Sequence, residues 1–567
     1  IKNFRNAIKS RKNCFEAYSN LGLCLHRKGE INSAIDNYII ALKINPESSE
    51  VVNNLGLAMT KGSFSGSLDE VMEILFYLLD KSTLIQSSLV INNILSLLKS
   101  TPTLKHLLEE GFDFNNSSEL KQILKNLSEI NYLIRLMQTR IIPDLQIEIL
   151  ISNLRKSILL NVENLYDKKD LLPFVSALSI QCFNNEYIFH ETYEENKVLK
   201  SLEKKVVILL QQGIQPDSIA IICLASYRPL SDYKWSNLIS FSKELKEIEK
   251  RHFLEFKEEK EIVSQIKTLN SISNSVSKEV KAQYEENPYP RWVNITLPLK
   301  SKSIKEFSQK SNLKIINTDI YDIEMPSILV AGCGTGRHPI ETAKTFTKCN
   351  VFAIDLSKKS LAYAIRKTKE LGLKNIEYIN ADILDIDALG KKFDIIETVG
   401  VLHHMEDPMA GWKKLIENLK PGGLMRIGLY SELAREFVVK TIKEIKQKDI
   451  SAEKDKMREF RYSIINSTQE HHKKIFSALD SFSLSSFRDL LFHKQEIRYT
   501  LPEIKQYLIE LDLSFCGFTI TNSNLKEQFK KNFPNKTDSF DLENWIKFEK
   551  NYPESFRGMY QFWCQKL

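Results

Sequence analysis

The chain has 567 residues, 43% of them hydrophobic, and a formal net charge of +7 at pH 7. That length is too great for one ordinary domain and predicts three or four, and so small a charge for the length leaves no electrostatic footprint for nucleic acid. The eight cysteines are scattered, with no CxxC pair and no His/Cys group at metal-ligand spacing, which fits buried thiols in a reducing, cytoplasmic compartment rather than a disulfide scaffold. His403-His404 and His471-His472 are the only adjacent histidines; neighbours on a helix do not share a face, so no metal is expected. No apolar run is long enough to cross a bilayer, and no signal peptide is visible.

Residues 15–50 carry Tyr18, Leu21, Gly22, Leu25, Ala34, Tyr38, Ala41 and Pro46. Small residues at these places let paired helices approach, and the proline closes the second helix. The pattern resembles the tetratricopeptide repeat, a helix–turn–helix unit of about 34 residues. One repeat length earlier, Phe4 and Ala7 take the places of Tyr38 and Ala41. One repeat length later, Val52, Leu55 and Gly56 take those of Tyr18, Leu21 and Gly22, and the pattern fades after Gly62. Residues 1–66 therefore read as one clear repeat between partial ones, with Ile1 inside a preceding repeat and the natural start missing. The resemblance implies a concave surface that either grips a peptide or pairs two copies of the chain as a homodimer.

Residues 67–270 read as helix after helix, an all-α middle domain. Segments 69–79, 120–138, 145–160 and 197–212 repeat apolar residues at three- and four-residue spacing. Breaks are expected at 62–66, 115–118 and 215–217. Nothing in the segment has catalytic spacing. Residues 271–325 form a linker containing QYEENPYPRW at 283–292. Its two prolines enforce an extended turn, and Tyr284, Tyr289 and Trp292 suit either a wall against a cation or plain packing.

The stretch ILVAGCGTGRHP, 328–339, reads as a buried strand, a turn through Gly332, Gly334 and Gly336, and a helix start. Glycine lets a ligand lie against the main chain, and a helix N-terminus favours an anionic group. The dinucleotide spacing GxGxxG fails, since its third glycine falls on Arg337 or Pro339, and no Walker lysine follows. A second strand, VFAIDLS, ends in Asp355, 19 residues after Gly336, close to the roughly 20 at which dinucleotide folds place a ribose acid. IEYINADILD (376–385), FDIIETVGVLHHMEDP (393–408) and LKPGGLMRIGLY (419–430) supply three more strands. SFCGFTI (514–520) and MYQFWCQK (559–566) supply the last two.

This order and spacing resemble the core of the class I S-adenosylmethionine (SAM) methyltransferases. The resemblance implies an α/β, Rossmann-like, seven-stranded core at 326–430, a helical insertion at 431–513 and the last two strands of the core at 514–567. SAM is the implied cofactor, with 271–325 closing over it. The implied contacts are Ala331, Gly332, Cys333, Gly334, Gly336 and Arg337 in the first motif, Asp355 and Leu356 in the second, Ala381 and Asp382 at the adenine, and Val399 and Tyr284 around them. Val330 stands where the family often has an acid, so a contact to the methionine amine is expected from backbone or another side chain.

The insertion of roughly 80 residues exceeds ordinary loop lengths. It contains FRDLLFHKQEIRYTLPEI (487–504). That string, with CFNNEYIFHETYEE (182–195), RIGLYSELAR (426–435) and MYQFWCQK, resembles the bacterial group that includes the outer-membrane-protein lysine methyltransferases. A protein substrate methylated on lysine is implied. A lysine must be neutral to accept methyl, against an ordinary pKa of about 10.4. Catalytic candidates at the carboxyl ends of the strands, where open α/β sheets bind ligands, are Glu397, His403 and Tyr430. Substrate-side candidates are Tyr289, Trp292, Asp489, His493 and Glu496. Thr398-Val399-Gly400 replaces the NPPY-type signature of base methylation. The rival readings are a small-molecule methyltransferase acting on a sugar, lipid or quinone precursor, and a repeat-based scaffold with an inactive core.

Overall fold

In the computed structural model, which describes residues 1–45, 48–59, 68–81, 87–113, 116–295, 297–298, 300–520 and 522–567, the apolar run before the glycines is strand β1, Ser327–Ala331. Its residues Ile328 to Ala331 are wholly buried, as a central parallel strand covered on both faces requires. The two-residue period sorts its side chains between two cores. Leu329 and Ala331 pack with Ile396, Met425 and Ile427; Ile328 and Val330 pack with Val351, Ile395 and Leu424.

The remaining strands are β2 (Asn350–Asp355), β3 (Ile376–Asn380), β4 (Phe393–Val399), β5 (Leu419–Leu429), β6 (Leu513–Phe518) and β7 (Tyr560–Lys566). Their order is β3-β2-β1-β4-β5-β7-β6. The first five are parallel, and β7 runs antiparallel between β5 and β6. Chain order reverses between β1 and β4, where open parallel sheets form a ligand crevice at the carboxyl ends. Helices Ser523–Asn532 and Leu542–Asn551 fill the interval between β6 and β7, which the sequence reading left without elements.

The chain divides into two compact units. One contains residues 1–113, 129–135 and 294–300; the other contains 114–128, 136–293 and 301–567. The segment 67–270, expected as one domain, is shared between them. The expected breaks at 62–66 and Asn115 lie outside the described residues. In the first unit, helices Phe15–Lys28 and Ile31–Ile44 form a hairpin closed by Gly29 in the left-handed region. Gly22 lies against the Tyr38 ring, where an added Cβ would sit 2.7 Å from the aromatic carbons. The expected helix over 120–138 is instead two, Ser117–Ser128 and Asn131–Thr139. Ser128 Oγ bonds back to the Leu124 carbonyl at 2.8 Å, offering the backbone an alternative to continuing the helix.

In the second unit, the helices before the sheet brace the insertion. Arg461 forks onto Glu148 at 2.6 and 2.7 Å with both groups buried. Arg458 donates to the Tyr187 carbonyl and the Ser485 N–H to Glu186. Glu195 closes a capping box with Thr192 and also receives Arg155 and Tyr227 at 2.9 and 2.7 Å. Arg366 lies among Glu255, Glu259 and Glu370. A chain beginning near residue 276 would take Glu148 from Arg461 and both Glu255 and Glu259 from Arg366, leaving Arg366 only Glu370, and poorly paired buried charge is strongly destabilising. Such a chain is expected to be insoluble or molten by near-UV circular dichroism, whereas one beginning at Asn116 should unfold cooperatively.

Candidate active site

A cavity of about 470 Å³ opens at the carboxyl ends of β1 and β4. The glycine turn forms part of its wall. Gly332, Gly334 and Gly336 all have positive φ, at 73°, 52° and 86°, and each is crowded differently. A Cβ on Gly332 would lie 2.4 Å from Val401, one on Gly334 2.6 Å from the Tyr289 carbonyl oxygen, and one on Gly336 2.4 Å from the Ala364 methyl. The turn is therefore closed on three sides, by the Val401 side chain, the Tyr289 main chain and the Ala364 methyl.

Asp355 fixes the turn from β2. Its Oδ2 accepts the Gly334 N–H at 2.8 Å and its Oδ1 the Ser357 N–H at 2.9 Å. Each oxygen keeps a second lone pair, the geometry needed to take a diol. Burial pushes its carboxyl up to about 6 against these two hydrogen bonds. Asp382, at the end of β3, accepts from Leu384 N–H at 3.1 Å and lines the same cavity.

The segment 283–292 is fastened onto this turn. Ser357 Oγ donates to the Tyr284 carbonyl at 3.2 Å, and Lys358 N–H to Glu285 at 2.7 Å. Trp292 Nε1 donates to the Thr335 carbonyl at 3.2 Å, Thr335 Oγ1 bonds the Pro290 carbonyl, and Tyr363 bonds that of Trp292. Tyr284 and Tyr289 stack at 6.3 Å, and both line the cavity. Trp292 does not; it pins the glycine turn from behind.

Of the other expected cofactor contacts, Cys333, Arg337, Leu356, Ala381 and Val399 line the cavity, while Ala331 and Gly336 do not. Arg337 pairs with Glu341 at 3.0 Å. Among the expected catalytic residues only Tyr430 lines it. Glu397 is buried, with its carboxylate held by Thr342, by His338 at 3.0 Å and by Arg426 at 3.8 Å. Burial alone would raise its pKa, but the His338 charge and hydrogen bond, then Arg426 and Thr342, outweigh it and hold the carboxyl at about 2. So weak a base with so many partners positions Arg426 and His338, which do line the cavity. His403 is fully buried against Tyr430, ring centroids 4.1 Å apart, and burial keeps it neutral.

On the substrate side, Asp489 lines the cavity and accepts the Tyr284 hydroxyl at 2.8 Å. His493 lies 3.1 Å from that hydroxyl. Glu496 turns away, pairing with Arg435 at 3.1 Å and Arg498 at 3.2 Å. The sequence reading missed His404, which lines the cavity and stacks on His493 at 3.6 Å. Its signal was the histidine pair itself, set aside as a metal motif. Arg426, Gln561 and Met559 also line the cavity and carried no local signal, because β5 and β7 meet only in the folded sheet.

SAM fits this donor set. Its adenine amine matches an acid at Asp382, its ribose diol matches Asp355, its sulfonium suits the stacked tyrosines, and its main body needs a glycine turn without Cβ atoms. Hydroxyl donors favour an ionised acceptor, so SAM should bind about tenfold more weakly at pH 5 than at pH 7 as Asp355 takes up a proton. Calorimetry across that range checks this, and Asp355→Asn should flatten the profile.

Residues 326–503 match the family model described as a methyltransferase domain. An uncharacterised Synechococcus protein is 29% identical over 206 residues, covering 34% of this chain and 48% of that protein. The (S)-coclaurine N-methyltransferase of Papaver somniferum is 33% identical over 99 residues, covering 18% and 28%. PKMT2 from Rickettsia typhi in complex with AdoHcy superposes with a TM-score of 0.35 at 17% identity, covering 47% and 54%. The chain spans between a quarter and a half of the first curated relatives it matches. Residues 326–503 are thus a methyltransferase domain within a longer chain.

Proposed function

We propose that the protein is a SAM-dependent methyltransferase whose acceptor is the side-chain amine of a lysine in a protein. The carrying observation is that one cavity is lined both by the glycine turn with Asp355 and Asp382 and by Asp489, Tyr430 and His404. When bound, SAM supplies an activated methyl group. The chain's own residues then have to hold the acceptor, exclude water and remove a proton. Tyr430 is buried and Tyr284 and Tyr289 are half-buried, and desolvation holds all three phenols protonated. Their rings and the Asp489 carboxyl give an incoming ammonium an aromatic and acidic wall. A desolvated site of this kind lowers the pKa of a bound lysine.

The lysine reading is supported by the strings at 182–195, 426–435, 487–504 and 559–566; the curated relatives named as N-methyltransferases support an amine acceptor and not its being a lysine. The helical hairpins of residues 1–59, read as tetratricopeptide repeats, are the proposed holder of the protein substrate, and a second copy of the chain is their alternative partner. The test is incubation of the protein with methyl-labelled SAM and a bacterial cell extract, followed by fractionation. Label in protein, recovered as methyl-lysine, is expected. Label only in lipids or small molecules would replace the acceptor and keep the methyltransferase. A chain beginning at Asn116 should keep SAM affinity and lose transfer to protein if the hairpins hold the substrate.

A further inference from the structure

The cavity is lined by two imidazoles, His338 and His404. His338 Nε2 is engaged with Glu397 at 3.0 Å, and His404 stacks on a third, His493, from which the main chain of one residue distinguishes it. His404 Nδ1 lies 2.7 Å from the Gln495 carbonyl oxygen. A carbonyl only accepts, so Nδ1 carries the hydrogen and Nε2 is left with its lone pair. The N–H of the same residue, Gln495, donates to His493 Nδ1 at 3.1 Å. His493 therefore carries its hydrogen on Nε2, which lies 3.1 Å from Tyr284 Oη. Tyr284 in turn donates its own hydrogen to Asp489 Oδ1 at 2.8 Å. The chain of donors runs one way: Gln495 to His493 to Tyr284 to Asp489. His493 is committed as a donor. His404 is the imidazole left with an open acceptor, and it lines the cavity while His493 does not.

From this geometry, and resting on the methyltransferase reading above, we propose that His404 is the catalytic base, which takes the proton from the acceptor amine through Nε2, and that Gln495 assigns it that role by fixing both tautomers. The acceptor ammonium loses one N–H bond. The electron pair stays on nitrogen as the lone pair that receives the methyl, and the proton moves to Nε2. The imidazolium so formed lies near Asp489, one of whose carboxylate oxygens falls within 4.8 Å of a ring nitrogen of each histidine. His493, as a neutral donor to Tyr284, orients the phenol, whose own hydrogen goes to Asp489 Oδ1. His404 is also faced by His403 and Tyr430, with Arg435 3.7 Å over the Tyr430 ring. Arg488 and Glu496 act on the same cluster from the insertion.

His404, Asp489 and His493 also have the makeup of a metal site, and the hydrogen bonds argue against it. A histidine that ligates through Nε2 needs its other nitrogen protonated and donating. His493 Nδ1 instead faces an N–H, and its Nε2 is already engaged with Tyr284.

The tautomers can be read directly in the unaltered protein by long-range proton–nitrogen correlation of nitrogen-15 labelled histidine, with His404→Gln and His493→Gln used only to assign signals. A neutral His404 protonated at Nδ1 and a His493 protonated at Nε2 are expected; the reverse assignment overturns the proposal. In the transfer assay with labelled SAM and cell extract, His404→Gln should lower the initial rate at least about a hundredfold with SAM affinity within twofold, and should abolish its rise with pH. His493→Gln should cost less, about tenfold. A rate within threefold in His404→Gln, with SAM still bound, overturns the assignment alone. Failure of the unaltered protein to bind SAM overturns the methyltransferase reading and the assignment with it. Loss of rate on chelation, restored by zinc, would make the cluster a metal site and overturn the proposal; indifference to chelator supports it.

Discussion

Gly334→Ala is expected to weaken SAM binding by about a hundredfold or more while leaving the protein folded. The added methyl would lie 2.6 Å from the Tyr289 main-chain oxygen. That neighbour cannot swing away as a flexible side chain would, because residues 284–292 are tied through the carbonyls of Tyr284 and Pro290 to the loops after β2 and β1, and through that of Trp292 to Tyr363 in the helix Lys358–Glu370. The segment must lift from the turn, taking the Tyr284 and Tyr289 rings with it; a misplacement near 1 Å costs about a hundredfold in rate, and removal of this wall from the bound cofactor is expected to cost affinity on the same scale. The left-handed backbone adds a penalty of about 1–2 kcal/mol. Gly372→Ala isolates that part, since Gly372 has φ of 67° with nothing within 4 Å of its added Cβ. It should lower Tm by a few degrees and leave SAM affinity within twofold. Calorimetry on both variants separates steric closure of the site from backbone strain; equal losses of affinity would refute the closure.

The same residues explain what the sequence made legible. The glycine turn, Asp355 and the strands leading to them are local patterns, each written in fewer than about a dozen consecutive residues, and the sheet places them as expected. The acceptor side is different. It joins Tyr284, His404, Tyr430 and Asp489, which come from the linker, the loop after β4, the end of β5 and the insertion. No periodicity links them. Glu397 illustrates the cost: a carboxylate at the carboxyl end of a parallel strand reads as catalytic, and only the fold reveals that Thr342, His338 and Arg426 already occupy it. The helices between β6 and β7 failed for another reason. Leu525, Phe529 and Phe533, then Leu542, Trp545 and Phe548, do recur at helical spacing, but the run is diluted by lysines and asparagines. Phe529 and Trp545 nevertheless stack at 3.7 Å beneath the sheet's core.

Glu397→Gln is expected to reveal a buried anchor rather than a base. The carboxyl is held at about 2 in the folded protein, below the roughly 4.3 of an unfolded glutamate. A depressed folded pKa contributes stability that is fully present above the unfolded value and is lost as pH falls through the folded one. The window therefore runs from about pH 4.5 down to about pH 2, and a gap of about two units corresponds to roughly 3 kcal/mol. At neutral pH the glutamine variant removes that contribution and leaves Arg426 and His338 beside a neutral amide, a loss in the range of about 3–5 kcal/mol for a broken buried pair. Differential scanning calorimetry at pH 7 should show Tm lowered by several degrees, with the difference from the unaltered protein shrinking as both are taken toward pH 3. The SAM-saturated rate, measured well below the variant's Tm, should stay within about threefold, and its pH dependence should keep its shape because the proton leaves through His404. A base would behave in the opposite way: an unchanged Tm and a collapsed rate would return Glu397 to the chemistry.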